Sequence, residues 1–117
     1  MWLVDTSVWV DHLRRGNARL ASLLNDAQVC CHPCIVGELA CGMIRNRHEI
    51  LELLKSLPGV IVAEPEEILE MIDRNRLYGR GAGWIDMQIL SSALLTGVRL
   101  WTLDSQLLKM ARELGVA

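Results

Sequence analysis

The chain has 117 residues, a length that fits a single domain, 1–117, with one hydrophobic core. Apolar residues make up 51% of the sequence and charged residues 22%, a balance that excludes an intrinsically disordered chain. The net charge of −2 argues against a nucleic-acid binder that depends on a basic surface alone, although bound cations would remove that objection.

The N-terminal half of the chain predicts two strands and four helices. Thr6 or Ser7 can cap the helix that follows the first strand. Pro33 suits the first turn of a later helix, which carries Met43 on its apolar face and Glu38 off it. The predicted elements are a strand over 2–4, helices over 6–15 and 17–25, a strand over 28–31, and helices from 33 and over 47–56.

The C-terminal half alternates strands with helices. One of these helices is apolar almost all round, so we expect it to be central and covered. The predicted elements are a strand over 60–62, a helix over 66–77, a glycine-rich connection over 79–83, the central helix over 86–96, a strand over 98–103 and a last helix from Asp104 to Gly115. Strands separated by helices predict a three-layer α/β/α domain with a central parallel sheet of four or five short strands.

The sequence shows no sign of export or membrane insertion. No apolar run approaches the ~20 residues of a membrane span, and the N-terminus does not have the pattern of a signal peptide. The cysteines, at positions 30, 31, 34 and 41, are too close together for a disulfide framework. We therefore expect a soluble cytoplasmic protein with reduced thiols and no membrane partner.

Acidic side chains mark one predicted edge of the sheet. Asp5 follows the first strand, Asp104 follows the last, and Asp86 opens the central helix, while Glu38 lies in the second turn of its own helix. Ligands of an open parallel sheet bind outside the carboxyl ends of the strands, near a switch in strand order. Because the first and last strands are expected to flank that switch, the sequence predicts that the four carboxylates converge.

Converging carboxylates repel one another, at a cost of about 3 kcal/mol per pair at ~5 Å and an effective dielectric constant of ~20. Such a cluster is typical of a site for Mg²⁺ or Mn²⁺, which prefer oxygen ligands. Two such ions can activate a water and hold a phosphodiester. Taken singly, each aspartate can also be a helix cap or a first-turn acid, and Glu38 can be a solvated helix residue.

Four segments, in order along the chain, carry these acids within longer motifs. They are Leu3-Val4-Asp5-Thr6-Ser7-Val8-Trp9, His32-Pro33-Cys34-Ile35-Val36-Gly37-Glu38-Leu39-Ala40, Gly83-Trp84-Ile85-Asp86 followed by Ile89-Leu90-Ser91-Ser92-Ala93, and Leu100-Trp101-Thr102-Leu103-Asp104. Together they resemble the PIN domain family, and the VapC type of toxin within it. The resemblance covers the whole chain, and it departs at Cys34, where a bulky or aromatic residue is more common.

The resemblance implies a metal-dependent endoribonuclease that cleaves RNA phosphodiesters, is restrained by a cognate antitoxin protein and forms a homodimer. It gives the four acids catalytic roles, with Asp5 and Asp86 as direct ligands of Mg²⁺ or Mn²⁺. Glu38 and Asp104 would complete the site, at a second ion or beside the attacking water. The family often has hydroxyls that support the acids, and here these are Ser7, Thr102 and Thr6. A toxin and a housekeeping PIN nuclease would share these residues.

Basic residues are candidates for contacts with RNA. They cluster in three helical stretches, as Arg14, Arg15, Arg45, Arg47, His48, Arg74, Arg76 and Arg80. Such clusters are usually solvated faces, but some can hold the RNA backbone at the rim of an acidic site. Arg74, Arg76 and Arg80 precede the connection to the central helix, so they are the preferred substrate-binding candidates.

Two other functions fit parts of the sequence. Cys31 and Cys34 form a C-x-x-C pair after a strand and at a helix N-terminus, the layout of a thiol–disulfide oxidoreductase. That activity would leave the four acids unexplained. A phospho-accepting receiver-like signalling domain also gathers acids at strand ends, but it needs an acidic pair after the first strand and a lysine after the last.

Overall fold

The computed structural model describes all 117 residues and contains three short strands and seven helices. The strands are β1 (Trp2–Val4), β2 (Val29–Cys30) and β3 (Arg99–Trp101). The helices are α1 (Thr6–Arg15), α2 (Ala18–Asn25), α3 (Pro33–Ala40), α4 (Arg47–Ser56), α5 (Pro65–Arg74), α6 (Trp84–Thr96) and α7 (Ser105–Glu113). None of these helices combines the length and the apolar character that crossing a bilayer requires.

The sheet is parallel, and β1 lies between its neighbours in the order β2-β1-β3. Leu3 pairs with Cys30 on one side and with Leu100 on the other. Leu3 and Val4 point to opposite faces of the sheet and both are fully buried, so both faces of the central strand are covered. The chain adds β2 on one side of β1 and β3 on the other, which places the switch in strand order beside β1.

The expectation of four or five strands is wrong, because the segment 60–62 does not join the sheet. It approaches the sheet at one isolated parallel bridge, between Cys31 and Gly59, where the Val60 amide donates to the Cys31 carbonyl at 3.3 Å. The Ile61 amide instead donates to the Thr96 hydroxyl, 2.9 Å away. Ile61 and Val62 are 56% and 50% exposed, so this apolar run forms an open segment next to the end of α6.

Helix α6 is the centre of the helical packing, as the sequence predicts. Six of its residues between Met87 and Ala93 are buried, although Trp84 and Leu95 near its ends are each 44% exposed. The helix ends at Gly97, whose φ of +75° lies in the left-handed region that favours glycine. Helix α3 ends earlier than expected, and Met43 lies beyond it, fully exposed instead of packed on an apolar face.

Candidate metal centre

Asp5 lies directly after the central strand and is only 6% exposed. Ser7 Oγ and Thr102 Oγ1 both donate to Asp5 Oδ2, at 2.8 and 2.7 Å. No arginine, lysine or histidine forms an ion pair with this carboxylate. Asp5 occupies the N-cap position of α1, yet its side chain accepts no capping hydrogen bond. A buried carboxylate without a positive partner is costly, so helix capping does not explain Asp5.

Two hydroxyls join the ends of β1 and β3. Thr102 Oγ1 donates to Asp5 and accepts from the Asp104 amide at 3.0 Å. Ser7 Oγ donates to Asp5 and accepts from the Leu103 amide, also at 3.0 Å. Since each hydroxyl acts as both donor and acceptor, its orientation is fixed. The two hydroxyls therefore hold the Asp5 carboxylate and the backbone that leads to Asp104 in one arrangement.

Asp104 and Asp86 lie at the N-termini of two further helices. Asp104 caps α7, because its Oδ1 accepts from the backbone amides of residues 106 and 107 at 2.9 and 3.0 Å. Asp86 is in the first turn of α6, where its Oδ2 accepts from the Gly83 amide at 3.2 Å. Capping thus accounts for one oxygen of each carboxylate and leaves the other available to a ligand.

Asp86 lies near enough to Asp5 and Asp104 for their charges to affect its pKa. Burial raises this pKa above its usual value, the hydrogen bond from the Gly83 amide lowers it in part, and the negative charges of Asp5 and Asp104 raise it further. The three acids stand at the N-termini of α1, α6 and α7, whose dipoles favour negative charge. The structure therefore brings Asp5, Asp86 and Asp104 together at the carboxyl end of the sheet.

Glu38 is joined to this group through Thr6. Thr6 Oγ1 donates to Glu38 Oε1 at 2.7 Å, which links α3 to the residue that follows Asp5. The expectation that Thr6 or Ser7 caps α1 is wrong, because both hydroxyls bond carboxylates instead of helix amides. Glu38 itself is exposed.

The carboxylates do not form a complete metal site by themselves, since no three of them lie close enough together to hold an ion. Mg²⁺ does not require such a cage, because it is usually bound by one or two carboxylates, retained waters and the phosphates of a substrate. The donors here are all oxygens, and the buried Asp5 has no positive partner. This donor set fits a hard divalent cation such as Mg²⁺ or Mn²⁺.

The structure gives two of the three preferred arginines acidic partners outside the four acids. Arg74 forms an ion pair with Glu70, one turn earlier in α5. Arg80 donates two hydrogen bonds to the Glu113 carboxylate of α7, at 2.7 and 2.9 Å. Arg76 is exposed just beyond α5, with a positive φ of 52°. Arg74 and Arg80 thus have partners of their own.

The structure gives no support to thiol–disulfide chemistry. Burial raises the pKa of the Cys31 thiol to about 11, and burial together with the Glu38 charge raises the pKa of Cys34. A redox-active C-x-x-C pair needs a lowered thiol pKa, because the thiolate is the nucleophile. Cys34 instead donates to Gln88 Oε1 at 3.4 Å, across to the central helix.

The fold and the site define a class of protein: a parallel α/β domain with a carboxylate centre, suited to a hard divalent cation, at the carboxyl end of its strands. The sequence matches the PIN domain family over residues 2–113, and the chain belongs to that family. It is similar to Ribonuclease VapC32 of Mycobacterium tuberculosis, from strain CDC 1551 / Oshkosh and from strain ATCC 25618 / H37Rv. Identity to each is 48% over 118 aligned residues, covering 100% of this chain and 95% of the relative. The resemblance to VapC-type PIN domains is confirmed, and the receiver-like alternative is wrong.

Proposed function

We propose that this protein is a divalent-metal-dependent endoribonuclease that hydrolyses RNA phosphodiester bonds, and that it is the toxin of a type II toxin–antitoxin pair. The observation that carries the proposal is the buried Asp5 carboxylate, held by two hydroxyls and left without a positive partner, beside Asp86 and Asp104. The name of the relatives, which are ribonucleases of the VapC type, supports RNA as the substrate and the toxin role.

The surroundings of the four acids indicate different roles for them. Asp5 and Asp86 would hold the ion, with Glu38 and Asp104 completing the site. When bound, Mg²⁺ or Mn²⁺ supplies Lewis-acid activation of a phosphodiester and of a nucleophilic water. Ser7 and Thr102 keep Asp5 in one orientation, so it does not reorganise during the reaction.

Glu38 is the acid best placed to handle a proton. It is exposed, and its single hydrogen bond to Thr6 occupies only one carboxylate oxygen. The other oxygen is available to orient a water and accept its proton, as a general base does. Asp104 is restricted by its bonds to the α7 amides, which suits a role in fixing position more than in proton transfer.

RNA cleavage with matched variants tests the proposal. Purified wild-type protein is incubated with total cellular RNA and Mg²⁺ or Mn²⁺, with and without a chelator, beside the variants Asp5→Asn and Asp86→Ala. The control Asp73→Asn removes one exposed carboxylate from α5, away from the centre. We expect the two site variants and the chelator to reduce cleavage at least 100-fold and the control to leave it unchanged. Undiminished cleavage by Asp5→Asn would refute the assignment.

A homodimer is supported by apolar surface that the single chain leaves open. Trp84 and Leu95 of α6 are each 44% exposed and Ile85 is 38% exposed. Large apolar side chains grouped on one helix are a common feature of self-association surfaces. Light scattering on a gel-filtration column should give twice the chain mass for the wild type and a monomer for Leu95→Glu. A monomeric wild type would refute the dimer.

A cognate antitoxin and a cytoplasmic location follow from the proposed toxin role. The antitoxin would be a small protein encoded next to this gene, and it should copurify with the chain and suppress its RNA cleavage. Cell fractionation should recover both proteins with the cytosol. An adjacent gene product that neither binds nor inhibits the chain would favour a housekeeping nuclease.

A further inference from the structure

A groove of about 480 Å³ opens beside Glu38, between α1 and the loop that follows α3. Thr6 and Glu38, which belong to the candidate metal centre, line it together with Arg14 of α1 and Arg45 of the loop. Arg14 follows Thr6 by eight residues of helix, so their Cα atoms are about 12 Å apart along α1 at 1.5 Å per residue. The groove thus leads from the acids to two arginines.

Arg14 also borders a second depression, of about 380 Å³, which shares Val10 and Arg14 with the groove and lies on the adjoining face of α1. Ser7 and Leu103, which form the hydroxyl network around Asp5, line that depression. Side chains on a helix tilt toward its N-terminus, so Arg14 leans toward the end of α1 where the acids lie. Arg14 therefore lines two openings that both adjoin the candidate metal centre.

Arg14 and Arg45 carry charges that no other residue neutralises. Both are exposed, and neither forms an ion pair or a side-chain hydrogen bond. Their neighbours differ: Arg15 pairs with Asp11, and Arg47 donates to the Ala40 carbonyl at the end of α3, at 2.7 Å. A free guanidinium can bind a phosphate with two parallel hydrogen bonds.

We infer that Arg14 and Arg45 bind backbone phosphates of single-stranded RNA next to the bond that is cut. The inference rests on the proposed ribonuclease function and adds a binding path to it. A protein with a net charge of −2 needs local cations to hold a polyanion beside four acids. Half of the residues that line the groove are apolar, which suits the unstacked bases of a single strand.

RNA binding measured without cleavage tests the inference. Fluorescence anisotropy follows a fluorescein-labelled, 20-nucleotide single-stranded RNA of mixed sequence, in chelator so that the RNA stays intact. The variants are Arg14→Gln, Arg45→Gln and the double variant. The matched control, Arg112→Gln, removes an exposed and unpaired arginine from α7. Circular dichroism should give the same melting temperature for all of them, because the replaced side chains are exposed.

We expect each groove variant to weaken binding roughly three- to tenfold at low salt and to reduce the slope of log K against log salt by about 0.7 per arginine removed. Arg112→Gln should stay within about twofold of the wild type. In cleavage assays the groove variants should raise KM and leave kcat within about twofold. If Arg14→Gln and Arg45→Gln bind RNA as tightly as the control, the inference is overturned. That result would hold even if another ligand, such as an acidic protein segment, occupied the groove.

The two proposals fail in different ways. If the wild type cuts RNA and the groove variants behave like Arg112→Gln, the phosphate path is wrong and the nuclease stands. If the wild type binds RNA through the two arginines but cuts none with Mg²⁺ or Mn²⁺, the nuclease is wrong and the binding path stands.

Discussion

Replacing Thr102 with valine would remove one buried hydroxyl and keep the shape of the side chain. The change breaks the 2.7 Å hydrogen bond to Asp5 Oδ2, a bond to a charged group worth roughly 1.5–3 kcal/mol. It also leaves the Asp104 amide, now 3.0 Å from Oγ1, without its acceptor, which costs about 1–3 kcal/mol. Ser7 still donates to Asp5, so the two losses are not fully additive. We expect the free energy of unfolding to fall by roughly 2–4 kcal/mol.

Urea denaturation and thermal melting measure this loss, with Thr102→Ser as the control that keeps the hydroxyl. For a domain of this size about 1 kcal/mol corresponds to about 4 °C, so the valine variant should melt roughly 8–15 °C lower. The Thr102→Ser variant should lower the free energy of unfolding by less than about 1 kcal/mol.

RNA cleavage should fall about 10- to 100-fold in Thr102→Val, as when a residue that orients a metal ligand is lost, and Thr102→Ser should restore it. Equal stability and equal activity of the two variants would refute the role assigned to the hydroxyl.

Three further outcomes follow from the site. Thr6→Val should lower cleavage several-fold with little change in stability, because exposed Glu38 loses only its positioning bond; a melting curve and an RNA assay separate the two effects. The pKa of Asp86 is raised in the folded state, so ionisation of this carboxyl group destabilises the folded protein. The destabilisation is absent below about pH 4, where the carboxyl group is protonated in both states, and it reaches its full size above the pKa of the folded protein. The free energy of unfolding of Asp86→Asn should therefore exceed that of the wild type at neutral pH and match it at low pH, as urea titrations at several pH values will show. Iodoacetamide at pH 7 should modify exposed Cys41 first, because the pKa of buried Cys31 is about 11.

The acids could be predicted because their positions follow from local pattern and general topology. Asp5 and Asp104 come directly after apolar runs that must be strands, and parallel strands end at the same edge of a sheet. The pattern cannot show which hydroxyl group donates a hydrogen bond to which acid. Those contacts join residues 95 and 97 positions apart for the pairs Ser7–Thr102 and Asp5–Thr102, so they depend on the folded geometry.

The wrong expectations share one cause, which is that tertiary contacts overrode local preference. Residues 60–62 are apolar and β-branched, but their pairing beside β2 stops at a single bridge to Cys31, and the Ile61 amide bonds Thr96 instead. The sequence also does not show that Arg80 pairs with Glu113, 33 residues away. The position of an arginine in the sequence therefore does not show whether it will pair with an acidic residue in the folded protein.

The pairing of β3 beside β1 also determines when during synthesis the protein can become active. Asp5 is made first, but its partner hydroxyl on Thr102 and the acid at position 104 emerge only with the last strand. A chain still being translated holds Asp5 without these companions and cannot assemble the centre. The proposed nuclease would therefore stay inert beside the ribosome and its own message until almost the whole polypeptide has been made.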